Sequence, residues 1–228
     1  MIRTRADGDV RVVTIDRPDR RNALRPTELT ALEAAVTEAT EPVIYLHGAG
    51  DAFCAGADFE VVTDLDDPAG FAAHGQRTAA AIEDAASVVV CGIDGPARGG
   101  GVELALAADV RVATPEATFA EPGVRFGLFG AWGGTVRLPR VMGEGEALDF
   151  ALSGRVIDAE SALRTGLVSR IVDDPRGVAA EIAEGKPDAL GTLKRRLRDR
   201  REDGIRQTAE AFADLVESHA DRIAAERE

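Results

Sequence analysis

The stretch IDGPARGGGVELALAADV (93–110) sets three consecutive glycines before an apolar helical run that contains one acid, Glu103. Glycine has no Cβ, so the backbone of Gly99, Gly100 and Gly101 can turn sharply and come close to a ligand. At a helix N-terminus the first N–H groups have no partner inside the helix, and the helix dipole favours negative charge beside them. The loop therefore reads either as a tight strand-to-helix connection or as an anion-binding turn. Phosphate-loop signatures do not fit. There is no GxxxxGKS or GxxxxGKT, and GPARGGG is not a GxGxxG followed by a suitably spaced acid.

Working outward, an upstream segment has the same build. PVIYLHG (42–48) is a short apolar strand, and the AGDAFCAGADF that follows is rich in Gly and Ala. SVVVCGID (87–94) leads in the same way into the glycine loop, after which come a helix to about Ala108 and a strand at VRVA. Two such units point to stacked strand–helix repeats. Two sets of N–H donors converging on one point would make an oxyanion hole, where one donor is worth about 2.7–4 kcal/mol of transition-state stabilisation. VRVVTID (10–16) alternates as a strand, PTELTALEAAVTEAT reads as a helix with Pro26 near its start, and 68–86 reads as another helix. Beyond Thr135 the pattern is mostly helical, interrupted by a strand-like LVSRIVD (167–173). Two charged amphipathic helices, broken near Asp203-Gly204, complete it. One carries Leu190, Leu193 and Leu197, the other Ala209, Phe212, Ala213 and Val216.

The 228 residues fit one compact unit, divided as a core over 1–186 and a C-terminal helical region over 187–228. A net charge of -13 argues against non-specific binding to nucleic acid or an anionic membrane. Lys186 and Lys194 are the only lysines, an arginine bias that a salt-rich habitat or a GC-rich genome would each produce. No run approaches the roughly 20 apolar residues that span a bilayer. The first residues lack the apolar core of a signal peptide, and Cys54 and Cys91 form neither a CxxC pair nor a disulfide framework. The expectation is a cytoplasmic protein without a metal site.

Five segments in register carry a more specific likeness: RRNAL (20–24), AFCAGADF (52–59), IDGPARGGGVELALAADVRVA (93–113), FGLFGAWGGTVRLPRVMG (126–143) and SGRVIDAESALRTGLVSRIVD (153–173). Together they resemble the crotonase superfamily, the enoyl-CoA hydratase/isomerase family. The resemblance implies an α/β fold, a spiral of ββα units with a C-terminal helical region, assembled as a homotrimer or a dimer of trimers. It implies an acyl-CoA thioester as substrate, with no cofactor besides. The backbone N–H groups of Ala55 and Gly100 would hold the thioester oxygen, Gly99 beside Gly100 would contact the substrate, and Glu103 would be the acid/base. Arg21, Ala23 and Leu24 would line the CoA channel together with Ala57, Asp58 and Phe59. Trp132 would floor the acyl pocket, and Lys194 would meet a CoA phosphate.

One position departs from that pattern. The family's hydratases carry a second glutamate where TFAEPGVRFG places Gly123, and Glu121 stands two residues earlier. Adding water takes one group to activate it and another to manage the α-proton. A single base suffices for a 1,3-proton shift or for protonating an enolate. No Asp stands at Ala131, where some family isomerases place theirs. His47, His74 and His219 read as structural or exposed. The competing expectation is an acyl-CoA-binding or regulatory homologue with little chemistry.

Overall fold

The computed structural model describes residues 1–199 and Phe212. The chain starts with β1 (Ile2–Asp7) and β2 (Val10–Ile15), an antiparallel hairpin, and a 3-10 turn (Pro18–Arg20). Then come α1 (Pro26–Thr37), β3 (Val43–Gly48), α2 (Phe59–Val62), α3 (Pro68–Asp84), β4 (Val88–Ile93), β5 (Pro96–Arg98) and α4 (Gly100–Ala107). After them follow β6 (Val110–Ala113), β7 (Thr118–Ala120), a second 3-10 turn (Pro122–Phe126), α5 (Gly134–Val141) and α6 (Glu144–Ser153). The remaining elements are β8 (Ile157–Asp158), α7 (Ala159–Arg164), β9 (Arg170–Ile171), α8 (Pro175–Ala183) and α9 (Pro187–Arg198).

The larger sheet has the order β1-β2-β3-β4-β6-β9 and is parallel from β2 onward. A parallel strand covered on both faces needs apolar residues at every position, which is why β4, VVVCGI, is buried throughout. One face packs against α1, α3 and α4 through Leu29, Leu32, Ile82 and Leu104, and the other against α8 through Val178 and Ala179. A second, smaller sheet runs β5-β7-β8, and single bridges Cys54–Ala97 and Leu24–Ala57 extend the layer. Each turn of the chain thus lays one strand in the large sheet, a short extended piece in the small layer, and then a helix. This is the expected spiral of ββα units.

β1 has no counterpart among the sequence expectations. Its IRTRAD pattern is almost wholly exposed, because an edge strand with charged side chains needs only one paired side and resists pairing with another chain. The strand expected over 167–173 contracts to Arg170–Ile171, and β5, β7 and β8 are too short to leave a periodic trace. In the tail, Leu190 packs against the sheet's outer cluster while Leu193 and Leu197 stay exposed. Apart from Phe212, which is exposed, the second tail helix and its stripe lie outside the described residues, as does His219.

Candidate active site

A cavity of about 1160 Å³ opens between the 50–60 loop, the start of α4, the second 3-10 turn and the 127–132 turn. Gly99, Gly100, Glu103, Glu121, Ala55, Ala57, Arg21, Ala23, Asp58, Phe59 and Trp132 all line it. The sequence expectation therefore assembles around one space, with three corrections.

The first concerns the amide donors. The Ala55 N–H is already engaged, donating to the Arg21 carbonyl at 2.9 Å. Among the described residues no acceptor takes the N–H of Ala57 or of Gly100, and both residues face the cavity. The two backbones touch at Gly56, whose φ of +84° needs glycine. A Cβ there would lie 2.8 Å from the Gly100 nitrogen and 2.7 Å from the Arg98 carbonyl oxygen. The free pair is therefore Ala57 and Gly100. In the CAGA stretch (54–57) every residue is small, so composition alone could not tell which amide faces outward.

The second concerns Lys194. It lies away from this cavity, on the buried face of α9, with its ammonium 2.8 Å from Asp109 and donating to the Ser87 carbonyl at 2.9 Å. Asp109 also accepts from the Val89 N–H and from Arg198. Lys194→Met should lower stability by about 3 kcal/mol, because it strands a buried carboxylate that keeps only part of its pairing. Chemical denaturation measures this loss, with KM for an acyl-CoA unchanged. The third correction is Leu24. Its side chain is fully buried in the core, and its backbone works instead, donating to the Gly56 carbonyl and accepting from the Asp58 N–H.

The remaining CoA-channel residues are placed by a tightly held loop. Arg21 and Asn22 have φ of 50° and 59°, unusual for residues with a Cβ. The buried Asn22 side chain holds that turn by accepting from the Arg17 N–H and donating to the carbonyls of Ala49 and Ala52. Asp58 is not a free acid: Arg17 binds its carboxylate at 2.5 Å and holds it below the usual range, and its other oxygen caps α2 through the Glu60 N–H. Phe59 lies at the mouth, edge-on to Phe126. Trp132 is packed in the core and also reaches the cavity. It is 3% exposed, packs over Gly100 and Gly75, meets Phe71 edge-on and still contributes to the cavity wall. The Cys54 thiol is wholly buried, donates to the Asn22 carbonyl and is pushed up to about 12 by burial, which leaves it without nucleophilic character. His47 contacts Thr14 and stacks on Tyr45, while His74 contacts Thr30; neither lines the cavity.

Of the acids that line the cavity, Glu103 and Glu121 are buried with no paired cation among the described residues, and their surroundings differ. Glu103 is 1% exposed, and its Oε1 accepts from the N–H groups of Trp132 at 2.8 Å and Gly134 at 2.6 Å. Burial raises its pKa above the usual carboxylate range, and those two donors together with the Arg137 charge offset only part of the rise. Space for the side chain comes from Gly130 and Gly134, where a Cβ would lie within 3.0 Å of Glu103 atoms. Glu121, at the start of the second 3-10 turn, is 5% exposed, and its Oε1 has no hydrogen-bond partner among the described residues. Burial, and then the neighbouring Glu103 charge, push Glu121 up to about 8. The two N–H donors favour the charged form at Glu103, and the unpartnered oxygen of Glu121 favours the neutral form there. Gly134, Gly130 and Arg137 were not singled out in the sequence, where GAWGG lies some thirty residues after Glu103. No group of three or more His, Cys, Asp or Glu suited to a metal occurs among the described residues.

Known proteins resemble this chain in sequence and in fold. The crotonyl-CoA hydratase of Syntrophomonas wolfei is 35% identical over 195 residues, covering 82% of this chain and 75% of that protein. The echA8 protein of Mycobacterium tuberculosis is 35% identical over 170 residues, a match that spans 73% of this chain and 66% of that relative. The crystal structure of the enoyl-CoA hydratase of Thermoplasma volcanium superposes with a TM-score of 0.89 at 27% identity, covering 98% of this chain and 95% of that one. Residues 5–225 match the family model for enoyl-CoA hydratase/isomerase. Spiral fold, glycine loop and sequence agree, and the chain belongs to the enoyl-CoA hydratase/isomerase family of the crotonase superfamily.

Proposed function

We propose that this protein adds water to the double bond of an enoyl-CoA, using Glu103 as base and Glu121 as acid. The observation that carries the reading is the pair of buried carboxyl groups lining one cavity, one holding two backbone N–H bonds and the other with an oxygen that has no hydrogen-bond partner among the described residues. Glu121 thereby replaces the acid that the family's hydratases carry at the position of Gly123. The thioester carbonyl lies against the N–H groups of Ala57 and Gly100. Glu103 takes a proton from water as the water oxygen bonds to Cβ, and the negative charge moves through Cα to the thioester oxygen. Glu121 then gives its proton to Cα, the oxygen–carbon double bond re-forms, and a proton passes from Glu103 back to Glu121. One water is consumed and both carboxyls are restored.

CoA thioesters and two buried free thiols fit a cytoplasmic protein. Among the described residues no helix is long and apolar enough to cross a membrane. A trimer or dimer of trimers is supported by Leu148 and Leu152, one turn apart on a single face of α6 and exposed.

Incubation with crotonyl-CoA tests the reading. Loss of the enoyl absorbance with formation of 3-hydroxybutyryl-CoA is expected, whereas tight binding without turnover would favour an acyl-CoA-binding protein. Gly56→Ala gives an independent test of the amide pair. Its methyl group would intrude on the Gly100 nitrogen and strain a φ of +84°. The expected loss in kcat is that of one oxyanion donor, about 10²- to 10³-fold. Steady-state kinetics on the folded variant measure it.

A further inference from the structure

We propose that Arg137, pinned by Glu83, is a positioning residue for Glu103: it holds the Trp132 carbonyl outward and so turns the amides of the Trp132–Gly134 segment onto the Glu103 carboxylate. The segment has two sides. On the inner side the N–H groups of Trp132 and Gly134 reach Glu103 Oε1 at 2.8 and 2.6 Å. On the outer side Arg137 Nη1 donates to the Trp132 carbonyl at 3.2 Å. The peptide between Trp132 and Gly133 is trans, so its C=O and N–H point in opposite directions. Drawing the oxygen toward Arg137 aims the Gly133 N–H to the Glu103 side.

The guanidinium is itself fixed. Its Nε and Nη2 donate to Glu83 Oε2 at 2.8 and 2.5 Å, a fork that a flexible ammonium could not match. Gly133 makes room for it. Its φ of +113° suits glycine, and a Cβ there would collide with Arg137 Nη1. Arg137 thus lies over the outside of the turn and does not line the cavity around Glu103. Glu83 also pairs with Arg198 of α9 at 3.1 Å, so three helices, α3, α5 and α9, meet at the pin. The charged groups that face Glu103 are Glu121 from the end of β7 and Arg137 from α5, with Glu83 of α3 behind the latter.

The inference rests on the reading of Glu103 as a base, and its test separates the two. Arg137→Ala and Arg137→Lys are compared with the parent protein on crotonyl-CoA across pH, and amide hydrogen exchange is followed in the segment around 130–136. In Arg137→Ala, kcat should fall about 10- to 100-fold with KM unchanged. The acidic limb of the rate profile should move to higher pH, because Glu103 loses a cation and well-aimed donors. The segment should also exchange faster while the rest of the chain does not. Arg137→Lys should return the limb toward its original pH. If the alanine variant does not fold, Arg137→Gln carries the same expectation. A folded Arg137→Ala or Arg137→Gln variant with the limb at its original pH and the segment still protected would overturn the proposal, whatever its kcat. Should Glu103→Gln prove as active as the parent, the base assignment fails, and the exchange experiment still decides the role of Arg137.

Discussion

Glu103→Gln should lower kcat for hydration about 10²- to 10⁴-fold, the range of a lost general base, while acyl-CoA affinity stays within a fewfold of the parent. The glutamine carbonyl oxygen can still accept from Trp132 and Gly134, and the side chain keeps its shape between Gly130 and Gly134. What disappears is the ability to take a proton from water. Stability should not suffer, because the substitution removes a buried charge without emptying its space. Turnover measured beside calorimetric binding separates the two effects. Weaker binding at unchanged turnover would assign Glu103 to substrate affinity instead.

Glu121→Gln should abolish hydration to a similar degree, about 10²-fold or more, and should also change the pH profile. In the parent the rate requires Glu103 ionised and Glu121 protonated. Activity should fall on the acidic side as Glu103 takes up a proton, and on the alkaline side as Glu121 loses its own near pH 8. Both limbs belong to the coupled pair. Without Glu121 the alkaline limb should vanish from the residual rate. The acidic limb should stay, because Glu121 is already neutral where Glu103 titrates. A bell-shaped profile that survives intact in Glu121→Gln would place the second proton elsewhere.

The large parallel sheet was legible because buried strands and amphipathic helices leave periodic traces, and VRVVTID, SVVVCGID and the helix after Pro26 lie within two or three residues of their expected bounds. The small sheet was not, since three-residue strands such as Thr118–Ala120 are held by neighbours rather than by their own pattern. Glu103 was legible as an acid where an apolar face should be. Its holding amides, Trp132 and Gly134, belong to a turn some thirty residues on, and backbone donors have no side-chain signature. The choice of Ala57 over Ala55 needed the hydrogen bond from Ala55 to Arg21, which spacing does not reveal. Lys194 shows the converse error: a basic residue in a basic helix suggested a phosphate contact, and the fold uses it to neutralise Asp109. Glu121 was visible only as an acid out of register, and its burial with an unpartnered oxygen turns that departure into chemistry.

The central claim, that Glu121 stands in for the acid missing at Gly123, is tested most directly by crotonyl-CoA turnover in deuterated water. The product is read by mass spectrometry for the parent and for Glu121→Gln. The parent should give 3-hydroxybutyryl-CoA carrying one deuterium at Cα for each hydroxyl added at Cβ, and Glu121→Gln should form almost none. Hydration by Glu121→Gln at the parent rate, or deuterium entering the parent's substrate without any hydroxyl product, would contradict it.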